Sequence, residues 1–284
     1  MTNLHDKAVL FRSLHTGDEV LALANAWDAA SARLVEAAGA RAIATTSAGV
    51  CWGLGAADGG RLGRDRALDL IARITATVRV PVTADIENGY ADTPSGVAET
   101  VAGVLAAGAV GINLEDAHHF GDSPLRAVAD QCERIAAARA AADAAGIPLF
   151  VNARVDTYLR AVGDPATRLR ETLERATAYV AAGADGIFVP GVTDPQTVTA
   201  LADGLSVPLN VLAGPGAPTV AELGRLGAAR VSLGSSVAEA AYAVARRAAE
   251  ELLSTGTYTA LTDPIAYHDL NTLMHTPQPT TVAP

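Results

Sequence analysis

The chain alternates short apolar runs with alanine-rich helical patterns, and this alternation constrains its fold more than any other feature. Several helical patterns end in glycine just before the next apolar run, as in EAAGARAIA, LAAGAVGINL and VAAGADGIFV. Glycine commonly ends a helix because it adopts the left-handed backbone after the last turn at little steric cost. Each phrase therefore predicts a helix that leads directly into a strand.

Eight apolar runs are the strand candidates, at residues 20–27, 41–47, 81–87, 110–116, 148–156, 185–190, 208–213 and 229–235. Helical patterns lie between them, for example at 67–78, 129–146 and 166–184. Strands and helices that alternate eight times predict an α/β fold, the (β/α)8 TIM barrel. A doubly wound sheet also alternates, but no G-x-G-x-x-G follows the first run and no P-loop motif occurs.

The domain organisation is expected to be simple. We predict a single (β/α)8 barrel domain over residues 1–255, with its C-terminal helix exchanged between subunits, and an extension over 256–284. The extension ends in MHTPQPTTVAP, which is rich in proline and threonine and is expected to be disordered.

Composition and charge exclude several classes of partner. The formal net charge is −10 and the pI is about 5.0, which argues against nucleic acid and against an acidic membrane surface. The two cysteines make no disulfide framework and fit a reducing cytosol. Because no signal peptide and no uncharged apolar stretch of membrane-spanning length is recognised, we expect a cytoplasmic protein without a membrane partner.

The stretch VTADIENGYAD, at residues 82–92, predicts a strand that ends in two carboxylates followed by an Asn-Gly turn. Asp85 and Glu87 are two apart, so a continuous strand would place both on one face. Like charges this close repel, and burying them is costly without a compensating group.

Polar residues of one parity mark the ends of other predicted strands: Asn25, Trp27, Thr45, Ser47, Asn113, Glu115, Asn152, Arg154 and Asn210. In a barrel this end carries the active site, and the opposite parity must be apolar to pack under the helices.

The charges at these strand ends predict a metal ion. Asp85, Glu87 and Glu115 carry −3 and Arg154 carries +1, which leaves −2. Hard oxygen ligands of this charge predict Mg²⁺, with Mn²⁺ as the alternative. The competing interpretation is a set of separate surface carboxylates at loop mouths.

Five motifs carry a resemblance to a known family. TTSAGV, TADIENGYAD, INLEDA, NARVDTYL and PLNVLAG, in this order and at these strand ends, resemble the isocitrate lyase/phosphoenolpyruvate mutase superfamily over roughly residues 8 to 255. The resemblance implies a (β/α)8 barrel, a homotetramer with an exchanged eighth helix, and Mg²⁺ as cofactor. It also implies a small carboxylate substrate whose C–C or C–P bond is made or broken through an enolate-like intermediate.

The resemblance also implies roles for individual residues. Asp85 would bind the metal directly, while Glu87 and Glu115 would hold its waters. Arg154 would grip the substrate, and Asp58 matches an acid of the loop after the second strand. The substrate-binding set would comprise Ser47, Ala48, Gly49, Trp27, Arg154 and Asn210.

The loop EDAHHFGDSPLRAVADQ departs from the family, because it lacks the gating-loop cysteine and lysine of the isocitrate and methylisocitrate lyases. His118 or His119 could replace that cysteine as the acid/base, since histidine titrates near neutral pH; solvated loop histidines are the alternative. Cys51 and Tyr90 are further candidates that packing would equally explain.

Three functions therefore stay open at this stage. The first is an Mg²⁺-dependent lyase that cleaves a C–C bond in a small 2-hydroxy or 2-oxo di- or tricarboxylate, including oxaloacetate-type decarboxylation. The second is C–P chemistry of the phosphonopyruvate hydrolase or mutase kind, against which the loop and the GIFVPG segment count. The third is a family member that binds a metabolite without turnover.

Overall fold

The computed structural model describes residues 3–120 and 123–275. The strands are β1 (Leu21–Leu23), β2 (Asn25–Ala26), β3 (Ile43–Thr45), β4 (Val82–Asp85), β5 (Gly111–Glu115), β6 (Phe150–Arg154), β7 (Gly186–Val189), β8 (Leu209–Leu212) and β9 (Ala228–Ser232). The helices are α1 (Leu4–Ser13), α2 (Ala29–Ala37), α3 (Ser47–Gly53), α4 (Arg64–Thr77), α5 (Pro94–Ala106), α6 (Val128–Ala144), α7 (Arg168–Ala181), α8 (Pro195–Gly204), α9 (Val220–Arg225), α10 (Ser236–Thr255) and α11 (Tyr267–Met274).

All strand pairs are parallel, in the order β1-β9-β8-β7-β6-β5-β4-β3-β2. Because β1 and β2 are consecutive pieces of one extended stretch, pairing of β1 with β9 and of β2 with β3 closes the sheet into a ring. The side chain of Asn25 braces this seam, since it donates to the Thr45 carbonyl and accepts the N–H groups of Leu233 and Gly234. The prediction of an α/β (β/α)8 TIM barrel is confirmed.

The strands end earlier than two of the sequence patterns suggested. The predicted strand 41–47 stops at Thr45, because Ser47 already begins α3, and the predicted strand 81–87 stops at Asp85. In both cases the chain turns at the carboxyl end of the strand, where a TIM barrel places its loops.

Helix α1 closes the opposite end of the barrel. Its residues Ala8 and Phe11 are fully buried and pack with Leu21, Val110 and Phe150 in an apolar cluster that is separate from the main core. The amino-terminal end of the barrel is therefore sealed by this apolar cluster, which forms a plug. The carboxyl-terminal end, the mouth of the barrel, is the one free to bind a ligand.

The C-terminal part leaves the barrel. Of the 20 residues of α10 only Ala238 is buried, and the chain then forms a 3-10 helix (Thr259–Leu261) and α11. Arg33 of α2 donates to the Leu273 carbonyl at 3.0 Å, so the extension folds back onto α2. The predicted disordered tail lies mostly in 276–284, outside the described residues. No helix of the described residues is both long and apolar enough to cross a bilayer.

Candidate active site at the barrel mouth

Asp85 ends β4 and is held by backbone groups on two sides. Its carboxylate accepts the N–H of Ser47, the first residue of α3, at 3.2 Å and the N–H of Glu87 at 3.2 Å. Burial raises the pKa of Asp85 to about 6, with the neighbouring charge of Glu115 adding to the effect and that of Arg154 opposing it. Asp85 is therefore a fixed carboxylate whose negative charge is poorly compensated.

Glu87 does not lie beside Asp85 on a strand face, so that part of the sequence prediction is wrong. Its backbone is left-handed, with φ 50°, because the chain has already left β4 and enters the Asn-Gly turn. The side chain is nevertheless 2% exposed and accepts the N–H of Gly60. Burial raises the pKa of Glu87 to about 7, an effect that the charge of Asp85 strengthens and the Gly60 hydrogen bond opposes.

A thiol and two carboxylates converge next to this position. The ligand atoms of Cys51, Asp58 and Glu87 all lie within 4.8 Å of one another. Cys51 is fully buried, and burial together with Glu87 raises the pKa of its thiol to about 12, so the thiol stays neutral. Asp58, by contrast, is exposed on the loop after α3.

Arg154 is the centre of an ion-pair network on β6. Its guanidinium binds Asp156 through two parallel hydrogen bonds, at 2.6 and 2.9 Å, and reaches Glu115 on β5 at 2.7 Å. Burial would raise the pKa of Glu115, but Arg154 and His119 outweigh it and hold that pKa below its usual value. A guanidinium has five N–H groups; Asp156 binds two of them, while Glu115 pairs with the charge at Nη1, so N–H groups remain for a ligand.

His119 lies over the mouth, on the loop that follows β5. Its Nε2 is 2.6 Å from Glu115 and its Nδ1 is 3.1 Å from Arg160. Arginine can only donate, so Nδ1 is the acceptor and the ring carries its proton on Nε2, which donates to Glu115. The Glu115 contact raises the pKa of His119, against the opposing charge of Arg160. His118 is half-buried, and its backbone N–H bonds the carbonyl of Pro124.

The segment Ser47, Ala48 and Gly49 forms the first turn of α3, where N–H groups have no partner inside the helix. A Cβ on Gly49 would lie 2.8 Å from Cβ of Trp27 and 3.1 Å from Cβ of Ala238, so this close approach requires glycine. Trp27 is half-buried beside it. Position 49 thus has a packing reason as well as the predicted binding role.

Asn210 lies deeper, on β8 inside the barrel. It is 1% exposed and donates to the Ser232 hydroxyl at 3.2 Å, whereas its Oδ1 has no hydrogen-bond partner among the described residues. The structure therefore groups Asp58, Asp85, Glu87, Glu115, Arg154 and His119 around one mouth and places Asn210 below them.

Three charged residues of this region were missed at the sequence level: Asp156, Arg160 and Arg230. Asp156 shares the parity of Arg154 within NARVDTYL, so the alternation could have identified it. Arg230 shares a parity with Ser232 within ARVSLGS, so the same alternation could have identified it, although not its contact with Asn113. Arg160 carried no such signal, because its contact with His119 joins parts of the chain that are distant in sequence.

The donors at the mouth fit Mg²⁺. Asp85 and Glu87 offer hard oxygen ligands, and burial raises the pKa of both; Glu115 and Asp58 add to the effect on Asp85, and Asp85 adds to the effect on Glu87. A divalent cation would relieve this penalty. Among the described residues the potential ligand atoms that lie within 4.8 Å of one another are those of Cys51, Asp58 and Glu87, so a cation bound by Asp85 would lie beside this group.

Comparisons with known proteins bear on this arrangement. The family model for phosphoenolpyruvate phosphomutase matches residues 11–253. An uncharacterized protein of Mycobacterium tuberculosis is 42% identical over 227 residues, covering 79% of this chain and 81% of its own. The 2-methylisocitrate lyase of Escherichia coli is 34% identical, covering 73% and 70%. Oxaloacetate decarboxylase 2 of Pseudomonas fluorescens is 30% identical, covering 81% and 77%.

Solved structures agree with these sequence relatives. A Burkholderia cenocepacia protein assigned to the lyase/mutase class superposes with a TM-score of 0.90 at 40% identity, covering 96% of this chain and 97% of its own. A phosphonopyruvate hydrolase in complex with oxalate and Mg²⁺ superposes with a TM-score of 0.83 at 25% identity, covering 94% of each chain.

Proposed function

This chain belongs to the phosphoenolpyruvate mutase/isocitrate lyase superfamily, and we propose that it is an Mg²⁺-dependent carbon–carbon lyase. Its substrate would be a small 2-hydroxy or 2-oxo di- or tricarboxylate, from which cleavage releases a 2-oxo acid. Decarboxylation of the oxaloacetate type is the same chemistry with CO₂ as the leaving fragment. The relatives named as 2-methylisocitrate lyase and oxaloacetate decarboxylase support this substrate class.

The observation that carries the proposal is the way Arg154 is held. Asp156 and Glu115 fix its guanidinium from two sides, and the side chain is 15% exposed at the mouth. A guanidinium fixed in this way loses little freedom when its remaining N–H groups bind a carboxylate. Arg154 would therefore orient the carboxylate of the 2-oxo acid relative to Asp85.

Asp85 would hold Mg²⁺ directly, with Glu87, Glu115 and Asp58 binding its waters; Mn²⁺ is the alternative ion. When bound, the metal would act as a Lewis acid toward the negative charge that develops on the 2-oxo acid during cleavage. The N-terminal turn of α3 begins beside Asp85, which accepts the Ser47 N–H, and there the hydroxyl of Ser47 and the N–H groups of Ala48 and Gly49 would bind substrate oxygens, with Trp27 beside them.

Proton transfer would fall to groups other than His119. Its Nε2 proton is engaged by Glu115 and its Nδ1 faces Arg160, so His119 would position the loop. The candidates that remain are His118 and Tyr90. Burial and the nearby Glu87 raise the pKa of Tyr90 well above its usual value, so its phenol would stay protonated and able to donate.

Phosphonopyruvate-type C–P cleavage is the second candidate. The family model is that of a phosphomutase, and the superposed phosphonopyruvate hydrolase binds oxalate and Mg²⁺. Both reactions would use the same metal and arginine, so only the product separates them.

A turnover screen tests both functions. Oxaloacetate, substituted malates, isocitrate, methylisocitrate and phosphonopyruvate would be supplied with Mg²⁺ or with EDTA, and 2-oxo acid and phosphate release measured. We expect EDTA-sensitive release of 2-oxo acid that Asp85→Asn abolishes and the exposed control Asp69→Asn leaves unchanged. Full activity of Asp85→Asn would overturn the site, and phosphate release from phosphonopyruvate alone would select the second candidate. Tight binding of oxalate with Mg²⁺ but no turnover of any compound would indicate a binding role.

The assembly proposed for this enzyme is a homotetramer in which α10 is exchanged between copies. An eighth barrel helix should cover the seam between β9 and β1, but α10 leaves a groove of about 560 Å³ there, between α2 and α9. The groove has an apolar lining: Val20, Leu34, Val35, Val220, Val231 and Leu233. The helix itself exposes apolar residues: Tyr242, Val244, Leu252 and Leu253. An uncovered apolar groove and exposed apolar residues on α10 of the same chain favour a second copy as the occupant.

Light scattering after size exclusion tests this assembly. Leu253→Glu on the helix and Val35→Glu in the groove should each lower the mass, whereas Leu10→Glu, on an exposed position of α1, should not. A wild-type protein that stays monomeric at high concentration would contradict the exchange.

A further inference from the structure

Arg230 lies on the axis of the barrel beneath the mouth. It extends from β9 and is 1% exposed, and its Nη2 lies 3.4 Å from Oδ1 of Asn113 on β5. In the strand order β5 and β9 are four positions apart, so this side chain crosses the interior. Arg230 therefore places a positive charge at the centre of the ring and not on its wall.

This charge has no carboxylate bound to it. The long contact to Asn113 is its one hydrogen bond among the described residues, where its Nε and Nη1 have no partner. Burial lowers the pKa of Arg230 to about 9, and Asp85 is the charged group that opposes this shift. An uncompensated buried charge is strongly unfavourable unless a nearby charge repays it.

Titratable groups lie on both sides of the guanidinium, His15 toward the amino end of the barrel and Asp85 toward the mouth. Below it, His15 of the plugged end has a pKa lowered to about 3, because of burial first and of Arg230 next. On the side of the mouth is Asp85, the last residue of β4, which pairs in register with Asn113, the contact partner of Arg230. Inside a barrel such charges act over longer distances than in water, because little solvent screens them.

We propose that Arg230 is a positioning residue whose fixed charge, acting from below Asp85, favours an anionic substrate at the mouth and weakens the binding of the metal alone. This inference rests on the proposed function, since it assumes that metal and carboxylate meet at Asp85. It assigns Arg230 a part in coupling the two ligands: the metal binds well only when the substrate's negative charge accompanies it.

Opposite signs distinguish this role from a merely structural one. A cation beneath the mouth repels Mg²⁺ and attracts a dianion, so its removal should tighten one ligand and loosen the other. A structural role would move both affinities in the same direction, or neither, because a distorted mouth binds every ligand less well.

The test is calorimetric titration of the full-length protein with Mg²⁺ alone and then with oxalate in the presence of saturating Mg²⁺. In Arg230→Met we expect about tenfold tighter Mg²⁺ binding and about tenfold weaker oxalate binding. Arg230→Lys, which keeps the charge, should shift both by less than about threefold. Arg139→Met removes an arginine that pairs with Asp185, and serves as the control for a general loss of stability.

A second variant keeps the test valid if Arg230→Met does not fold. Asn113→Asp preserves the shape of the contact partner and neutralises the arginine in place, so it should shift the two affinities in the same opposite directions. Affinities that fall together, or stay at those of Arg139→Met, would overturn the role of Arg230. A wild-type protein that binds neither Mg²⁺ nor oxalate would instead overturn the proposed function.

Discussion

The two ends of the barrel interior are formed by the same strands and are chemical opposites. At the carboxyl end, Glu115 pairs with Arg154, whereas Asp85 is held by backbone N–H groups and its charge is poorly compensated. At the amino end, Phe11 of α1 packs edge-on to Phe150, with ring centroids 5.8 Å apart. One end stores electrostatic repulsion that a ligand can relieve, and the other supplies apolar packing that holds the ring closed.

A histidine at each end shows the same contrast. His15 stacks on Phe150 with ring centroids 3.8 Å apart, and burial first and Arg230 next lower its pKa to about 3. His119 contacts Glu115, which raises its pKa. The end of the barrel that a side chain faces therefore decides its ionisation more than its residue type does. We therefore expect substitutions at the mouth to change activity, and substitutions in the plug, the apolar cluster around Phe11 and Phe150, to change stability.

The largest effect is expected for Arg154→Met, because Arg154 should contribute to both stability and activity. Glu115 and Asp156 would lose their shared counter-charge, so the free energy of unfolding should fall by about 3–5 kcal/mol. The loss of charged hydrogen bonds to substrate should lower kcat/KM about a thousandfold. Urea unfolding and steady-state kinetics measure the two. The exposed Arg170→Met should change neither, and an Arg154 variant with normal kcat/KM would refute the assigned grip on substrate.

Phe11→Ala should affect the plug alone. The side chain is fully buried, and its truncation should lower the free energy of unfolding by about 3–4 kcal/mol. Oxalate affinity in the presence of Mg²⁺ should stay within about twofold, because Phe11 packs in the apolar cluster of the amino end, which is separate from the main core. Phe11→Leu, a smaller truncation, is the graded control at about 1 kcal/mol. A large loss of oxalate affinity in a folded Phe11→Ala would show that the two ends are coupled.

His15→Phe should change how the stability of the plug depends on pH. The folded pKa of His15 lies below the unfolded value, so the unfolded chain takes up a proton first as the pH falls through about 6.5. The wild type thus loses stability between about pH 6.5 and 3, whereas the phenylalanine variant has no such term. At pH 8 the variant should be less stable by about 1 kcal/mol, since the bond from Nδ1 to the Phe11 carbonyl is lost. By pH 5 the difference should vanish or reverse, as urea unfolding at the two pH values would show.

Sequence patterns predicted the barrel and most of its mouth, since strand parity depends only on local alternation. Asp85, Glu115 and Arg154 were identified in this way. Glu87 was placed on a strand because alternation continues through it, whereas its backbone is already left-handed at the start of the Asn-Gly turn and its side chain accepts the Gly60 N–H from a distant loop. The contact of Arg230 with Asn113 could not be predicted, because it exists only once the ring is closed.

The smallest effect, and the sharpest division within the mouth, concerns the two histidines of its loop. His119 joins Glu115 to Arg160, and the ring lies against Gly59 of the facing loop, where a Cβ would come within 3.2 Å of Nδ1. His119→Ala should therefore loosen the loop and lower kcat/KM about tenfold, with the free energy of unfolding within about 1 kcal/mol of wild type.

Because the predicted role is positional, His119→Gln should recover part of the rate and leave the shape of the pH–rate profile unchanged. His118→Ala tests the other histidine of the loop, which is a candidate for proton transfer. If it removes one limb of the profile, His118 is the proton donor, whereas a profile lost in His119→Gln would return that role to His119 and refute its assignment as the residue that positions the loop.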